Sequence, residues 1–83
     1  MPQLQVGSIV RSRAGRDKDG FFTVMRLEGD FAWLCDGKSR PLSRPKKKRL
    51  RHLELTHGFI LKDAIRSDKQ LRGLLKGYSE QSG

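Results

Sequence analysis

A dense run of basic side chains occupies residues 38–51. Eight of these fourteen residues are Lys or Arg, and none is acidic. The whole chain has 18 basic and 9 acidic side chains, a net charge of +9, and removing these eight would leave 10 basic against 9 acidic. Almost all of the excess charge is therefore concentrated in one segment, which is the pattern expected of a polyanion site. The eight residues are Lys38, Arg40, Arg44, Lys46, Lys47, Lys48, Arg49 and Arg51.

The chemistry that suits this segment is phosphate binding. Cations on one side of a rigid scaffold neutralise successive phosphates and release counterions. His52 follows directly and could stack on a base or contact a phosphate, or simply be a surface histidine with a protein partner. A solvated charge run and a basic import signal stay open as other interpretations. Changing Lys46, Lys47 and Lys48 to Gln is expected to flatten the dependence of log affinity on log salt by up to about 2–3 units.

A second basic set precedes the dense run. Arg11 and Arg13 are two residues apart, so in a strand their side chains would lie on the same face. Arg16 and Lys18 would project from the loop that follows, in which Gly15 can take positive φ angles and lets the backbone approach a ligand. We expect this loop to lie close to one end of the basic segment and to provide a second group of contacts.

Residues for catalysis, metal binding or membrane insertion are not arranged in any recognised pattern. The two histidines have no serine or cysteine partner in a nucleophile motif, and the single cysteine, Cys35, has no metal-ligand companions at useful spacing. No apolar run approaches the ~20 residues that a bilayer span needs, and the amino terminus does not have the pattern of a signal peptide. We therefore predict no enzyme, no cofactor, no metal and a cytoplasmic protein.

The elements that must position these side chains are short strands. Eighty-three residues make one small domain. β-Branched and aromatic runs separated by Gly-Asp and Asp-Gly turns predict five strands, which fit a small bent β-barrel better than a sandwich. The proline in the fourth predicted strand places it on an edge. The predicted strands cover residues 7–13, 21–28, 31–36, 38–42 and 48–55.

The region after residue 55 is predicted to leave the sheet. Residues 56–58 should break it, and residues 59–66 have partly helical spacing. Ser67 and Gln70 resemble a capping box, after which Leu71, Leu74 and Leu75 form an amphipathic stripe that packs on the barrel. Gly77 is the predicted stop, with a frayed end over residues 78–83. Phe21, Phe22, Phe31 and Trp33 could form a stacking platform, but we favour the core for most of them and a packing role for Trp33.

These segments resemble a known family. Residues 7–18 followed by residues 22–27 resemble the KOW motif, with Gly15 at its central glycine, and residues 14–18 with 44–56 are similar to small bacterial KOW-domain RNA-binding proteins. Those proteins are similar to KOW-bearing large-subunit ribosomal proteins of archaea and eukaryotes. The family usually has a glycine directly after the loop lysine, where this chain has Asp19. The resemblance covers roughly residues 6–56.

The resemblance implies a mainly β fold, a five-stranded SH3-like (KOW) barrel over residues 1–57 with a helical extension over 58–83. It also implies RNA binding in or near the ribosome, with ribosomal proteins as further partners. We expect a monomer that reads RNA shape and charge rather than sequence. The alternative is a protein-interaction module that docks an acidic surface of the translation or transcription machinery. DNA binding is a third possibility.

Overall fold

The chain folds as one antiparallel sheet with a helix packed on it. The structure is a computed structural model and describes residues 4–15 and 18–82, of which 79–82 are described by their backbone alone. The sheet order is β4-β3-β2-β1-β5, with every pair antiparallel. The elements are β1 (Ser8–Ser12), β2 (Phe21–Glu28), β3 (Phe31–Cys35), β4 (Lys46–Arg49), β5 (Leu53–Phe59) and α1 (Asp68–Ser82).

The predicted fold class is confirmed at the level of its elements, a mainly β chain of five strands with a C-terminal helix. The strand order is open, with β4 and β5 at its two ends. Within residues 4–15 and 18–82 no ladder joins these two strands, so closure into an SH3-like barrel stays a prediction.

The central strands are buried on one face and partly covered on the other, as the apolar residues at both odd and even positions of β2 predicted. On one face Val10, Phe22 and Leu34 belong to an apolar cluster, against which the leucines of β5 pack. On the other face Ile9 and Cys35 pack against α1. A bulge in the pairing of β2 with β3 between residues 24 and 26 changes which side chains of β2 point to each face.

The fourth strand was predicted in the wrong place. Residues 38–42 form no strand, because Asp36 Oδ1 accepts hydrogen bonds from the backbone N–H groups of Lys38 and Arg40, both at 2.8 Å. Those are the groups that a strand would donate to its neighbour, and Asp side chains commonly compete for them in this way. The N–H of Leu42 instead donates to Asp68 Oδ1 at 2.7 Å, which ties this segment to the start of α1.

The predicted strand over residues 48–55 is two strands. A 3-10 turn at Leu50–His52 separates β4 from β5 and carries the chain from one edge of the sheet to the other. The predicted break at residues 56–58 is also wrong, since β5 continues to Phe59 across the predicted domain boundary. There the Thr56 hydroxyl donates to Ile9 O at 2.6 Å and accepts from Gly58 N at 3.0 Å, beside an irregularity in the pairing of β1 with β5.

The helix begins where the capping signal predicted. Ser67 Oγ accepts from the N–H of Gln70 at 3.1 Å, but the Gln70 side chain accepts from Arg66 N rather than from the N–H of Ser67. Of the predicted stripe, Leu71 and Leu75 are buried and Leu74 is 42% exposed.

Other helical predictions fail. Residues 59–66 contain one 3-10 turn, Lys62–Ala64, instead of a helix, and α1 does not stop at Gly77 but continues to Ser82. The predicted fraying of the last residues is not tested. None of the helices among the described residues combines the length and the apolar character that a bilayer span requires.

Candidate nucleic-acid interface

Consecutive basic residues of β4 lie on opposite faces of the sheet. β4 pairs with β3 so that Lys47 lies opposite Trp33, Lys48 opposite Ala32 and Arg49 opposite Phe31. Directly paired residues share a face, and successive residues of a strand alternate. Lys47 and Arg49 therefore share an outer face with the two aromatic residues, while Lys46 and Lys48 lie on the side of the core residues Leu34 and Ala32. Of these two, Lys46 is exposed at the start of the strand and Lys48 is half-buried.

Lys48 is a structural lysine. Its ammonium donates to Ser12 Oγ at 2.7 Å and to the carbonyl oxygen of Ala14 at 2.6 Å, which links β4 to the loop after β1. The predicted closeness of that loop to the basic segment is confirmed by this contact. Because Ser12 is fully buried, the ammonium satisfies a polar group that water does not reach. Lys48 was predicted as a phosphate contact, and the structure instead directs its ammonium to oxygens of the protein.

The outer face of β2, β3 and β4 holds cations over aromatic rings. The Arg26 guanidinium carbon lies 4.7 Å from the centroid of the Trp33 ring, and the Arg49 guanidinium carbon lies 5.0 Å from that of Phe31. Lys47 Nζ lies between the rings, 4.3 Å from Phe31 and 5.5 Å from Trp33. We call these five residues the cation–aromatic face.

Acidic side chains border this face at Glu28 and at Asp30, and Asp30 lines a cavity with Arg49 and Arg51. Glu28 forms an ion pair with Arg26, and both side chains are 62% exposed. Lys46, Lys47 and Arg49 make no ion pair with any carboxylate of the described residues. The exposed cations of β4 are thus available to an external anion.

A second group of cations meets just before β4. Arg40, Arg44 and Lys46 line a cavity of about 300 Å³ together with Ser39 and the two prolines of the segment. Arg51 lies beside Arg49 at a separate cavity of similar volume next to the 3-10 turn. Of the eight predicted cations of this run, Lys47 and Arg49 lie on the outer face, and Arg40, Arg44, Lys46 and Arg51 line the two cavities next to β4.

Lys38 lies elsewhere. It lines a cavity of about 600 Å³ with Asp19, Asp36, Arg72 and Lys76, where α1 approaches the end of the β1–β2 loop. The carboxylates in this cavity balance part of its positive charge. The position of Lys38 therefore separates it from the cations around β4.

The β1–β2 loop is only partly available to a ligand. Arg11 NH2 forms an ion pair with Asp19 Oδ1 at 2.8 Å, while Arg13 and Lys18 are exposed. Gly15 has a φ of +75°, as its role in the turn predicted. The predicted contact Arg16 lies outside the described residues.

Asp19 occupies the place where the resembling family has glycine, and it adopts a backbone conformation that glycine favours. Its φ is +69°, in the left-handed region. Asp tolerates this region better than most residues, and the backbone N–H of Asp19 donates to Ser12 O at 2.8 Å. The loop therefore keeps its turn despite the substitution, and Arg11 offsets the added negative charge.

His52 is the last residue of the 3-10 turn after β4. It is half-buried, and its carbonyl oxygen accepts from the N–H of Arg13 at 2.8 Å. This bond connects the turn after β4 to the end of β1. His52 is therefore placed next to the second basic set rather than within the cation–aromatic face.

Sequence reasoning missed Arg26, and it favoured the core for most of the four aromatic residues and a packing role for Trp33. Trp33 and Phe31 are half-buried on the outer face and belong to neither apolar cluster, whereas Phe22 is in the core. The signal was present in β3, in which the buried residues Ala32 and Leu34 alternate with them. The position of Arg26 depends on the bulge in β2, which no residue pattern revealed.

Cys35 has the chemistry of a buried thiol. Burial, and next the charges of Asp68 and Asp36, raise its pKa from 9.0 to about 11. Its Sγ donates to Pro41 O at 3.4 Å. At neutral pH Cys35 is therefore not a thiolate nucleophile. Among the described residues no group of three or more His, Cys, Asp or Glu side chains is arranged to hold a metal ion.

No family model matches the chain, and no curated protein sequence matches it significantly.

Proposed function

We propose that this chain is a non-enzymatic RNA-binding module of the translation machinery in the cytoplasm, similar to the small bacterial KOW-domain proteins. The observation that supports the proposal best is that Lys46, Lys47 and Arg49 are exposed on a strand paired in the sheet. Cations held on a paired strand lose less conformational entropy on docking than cations on a loose tail. The association with ribosomal RNA comes from the resemblance alone.

The charge distribution favours a polyanion over a small ligand. The outer face presents Lys47 and Arg49, with Arg51 at its margin and the Arg40–Arg44–Lys46 cavity before it. Such a spread suits successive phosphates of a backbone, each of which takes one cation. Few side chains that read base edges lie near these cations, so we expect preference for RNA shape more than for sequence.

A purified protein tests the proposal with two variants of equal charge. Lys46→Gln, Lys47→Gln and Arg49→Gln together should weaken the affinity for a structured ribosomal RNA fragment by at least about tenfold, because charge-assisted contacts to phosphate are lost. The matched control carries Lys62→Gln, Lys69→Gln and Lys76→Gln, which remove three exposed charges near and on α1. Equal losses in the two variants would reject β4 as the binding strand.

A lysate experiment separates RNA binding from protein docking. The tagged protein should sediment with ribosome-sized particles and be released when the lysate is treated with RNase. If it sediments with such particles but stays in a protein complex after RNase digestion, the alternative of an acidic protein partner replaces the proposal. Competition between duplex DNA and structured RNA at equal salt tests the third possibility.

A further inference from the structure

We propose that the cation–aromatic face binds an unpaired stretch of RNA by stacking bases on Phe31 and Trp33. This inference rests on the proposed function and names the part of an RNA that this face takes. Stacking platforms of this kind combine aromatic rings with cations that track the backbone. The face formed by Arg26, Phe31, Trp33, Lys47 and Arg49 has both components on one side of one sheet.

The two rings are not covered by α1, which packs against only one end of their face. Phe31, Trp33 and Cys35 alternate with Ala32 and Leu34 along β3, so they point to the same side. Cys35 packs against Leu71 and Leu75 of α1, whereas Phe31 and Trp33 belong to neither apolar cluster and are half-buried. A small domain that keeps two adjacent large rings at its surface, outside both apolar clusters, has a surface suited to a ligand with flat apolar faces.

The spacing of the rings suits two separate bases. Residues two apart in a strand lie about 6.8 Å apart, so the two rings lie side by side on the sheet face rather than one above the other. Each ring can therefore take its own base. The faces of duplex bases are already stacked on their neighbours, so only an unpaired strand offers them.

The cations lie where the phosphates between stacked bases would need them. Arg26, Lys47 and Arg49 are exposed and now lie over the rings at 4.3–5.5 Å. Their long side chains can turn aside to the backbone as a base takes their place on a ring. The cations then form ion pairs with phosphate groups, and each ring exchanges a contact with a cation for a stacking contact with a base.

An acidic protein segment fits this face less well. The face of an aromatic ring carries the negative part of its quadrupole, so a carboxylate above Phe31 or Trp33 would be repelled. Neutral, polarisable bases do not meet this repulsion over the rings.

Trp33 is the only tryptophan of the chain, and its fluorescence reports directly on stacking. We would titrate the protein with a 12-nucleotide RNA, first alone and then annealed to its complement. The single strand should quench Trp33 and the duplex should not. Phe31→Leu should weaken binding of the single strand by about tenfold, because one stacked base loses its ring, and should change duplex binding less than twofold. Phe59→Leu, at a ring that is 47% exposed near α1, is the matched control and should change neither.

The possible results separate this inference from the proposed function. If both RNAs bind equally, Trp33 is not quenched and Phe31→Leu has no effect while the Lys46, Lys47, Arg49 variant still loses affinity, stacking is rejected and backbone binding stands. If neither RNA binds but the structured ribosomal RNA fragment does, the inference alone is rejected. If none of the three RNAs binds, the proposed function fails and the inference with it. A poly-glutamate peptide that binds and quenches Trp33 as the single strand does would overturn the inference in favour of a protein partner.

Two controls accompany these measurements. Circular dichroism of Phe31→Leu checks that this variant is folded. Trp33→Phe keeps a ring and should retain most of the affinity for the single strand.

Discussion

The two faces of β4 use the same side chain for opposite purposes. Lys47 is exposed over the rings of Phe31 and Trp33, whereas Lys48 directs its ammonium to Ser12 and the carbonyl of Ala14. The two lysines are adjacent in a run of four basic residues, and composition does not distinguish them. The alternation of a strand does, because it sends one to solvent and the other to the protein interior.

The comparison shows that charge density alone overstates a binding surface. A basic run on a strand is divided between its faces, and the half that meets the core must find protein acceptors or lose stability. Mutating Lys46, Lys47 and Lys48 together, as the sequence suggested, would therefore confuse lost binding with lost folding. Lys46, Lys47 and Arg49 are the informative set.

Replacing Lys48 gives the largest expected effect. Lys48→Met keeps a long apolar stem but removes both hydrogen bonds, one of them to a fully buried hydroxyl. We expect the free energy of unfolding to fall by about 2–4 kcal/mol, which urea denaturation measures. Lys47→Met is the control and should cost at most about 1 kcal/mol, since it loses only exposed cation–aromatic contacts. Equal losses would contradict the division of β4 into two faces.

Burial of Cys35 at the end of β3 that α1 covers should make the free energy of unfolding depend on pH above pH 9. Cys35 has a folded pKa of about 11 against an ordinary value of 9.0, so the unfolded thiol ionises first as pH rises. Below pH 9 the contribution of Cys35 to stability is constant, and between pH 9 and 11 it is lost as the unfolded state gives up its proton. The loss should reach about 2 kcal/mol near pH 11, measured as the difference from Cys35→Ala in parallel urea titrations. Parallel pH profiles for the two proteins would show that α1 does not bury the thiol.

The exposed lysine of the pair should affect binding more than folding. Lys47→Gln removes one cation from the cation–aromatic face and should weaken RNA binding about fivefold, roughly 1 kcal/mol. Fluorescence anisotropy with a labelled structured RNA gives the affinity. Lys69→Gln removes an exposed charge on α1 and serves as the control. A loss no larger than that of the control would mean that the outer face of β4 is not a contact.

The smallest expected effect comes from substitution of Asp19 in the β1–β2 loop, which Lys48 contacts at Ala14. At the positive φ of Asp19, glycine is unstrained and alanine is not. Asp19→Gly should therefore be more stable than Asp19→Ala by about 1 kcal/mol, although both lose the ion pair with Arg11. Thermal unfolding of the two variants measures the difference. Equal stability would indicate that the loop relaxes into another turn.

The sequence predicted what depends on local pattern and missed what depends on distant partners. β2 was predicted over its full length because its apolar residues sit at both odd and even positions, and the start of α1 because Ser67 and Gln70 are capping residues. The fourth strand was misplaced because the side chain of Asp36 takes backbone donors of residues 38 and 40. That competition depends on the geometry of a turn, which spacing alone does not reveal.

The candidate site was predicted by composition but not by orientation. The concentration of cations in residues 38–51 located the region, yet the pattern gave no reason to separate Lys48 from Lys47. Lys48 binds Ser12 and Ala14, which lie 36 and 34 residues away in the chain. The position of Arg26 beside Trp33 likewise depends on the pairing of β2 with β3. Contacts of this range follow from strand register, which is fixed only when the whole sheet is assembled.

The salt dependence of RNA affinity tests the central claim most directly. We would measure the slope of log affinity against log salt for the wild type, for the Lys46, Lys47, Arg49 variant and for the Lys62, Lys69, Lys76 variant, all with one structured RNA. Three lost phosphate contacts should reduce the steepness for the β4 variant by about 2, while the control stays parallel to the wild type. Three parallel lines would contradict the account, because the exposed cations of β4 would then neutralise no phosphate.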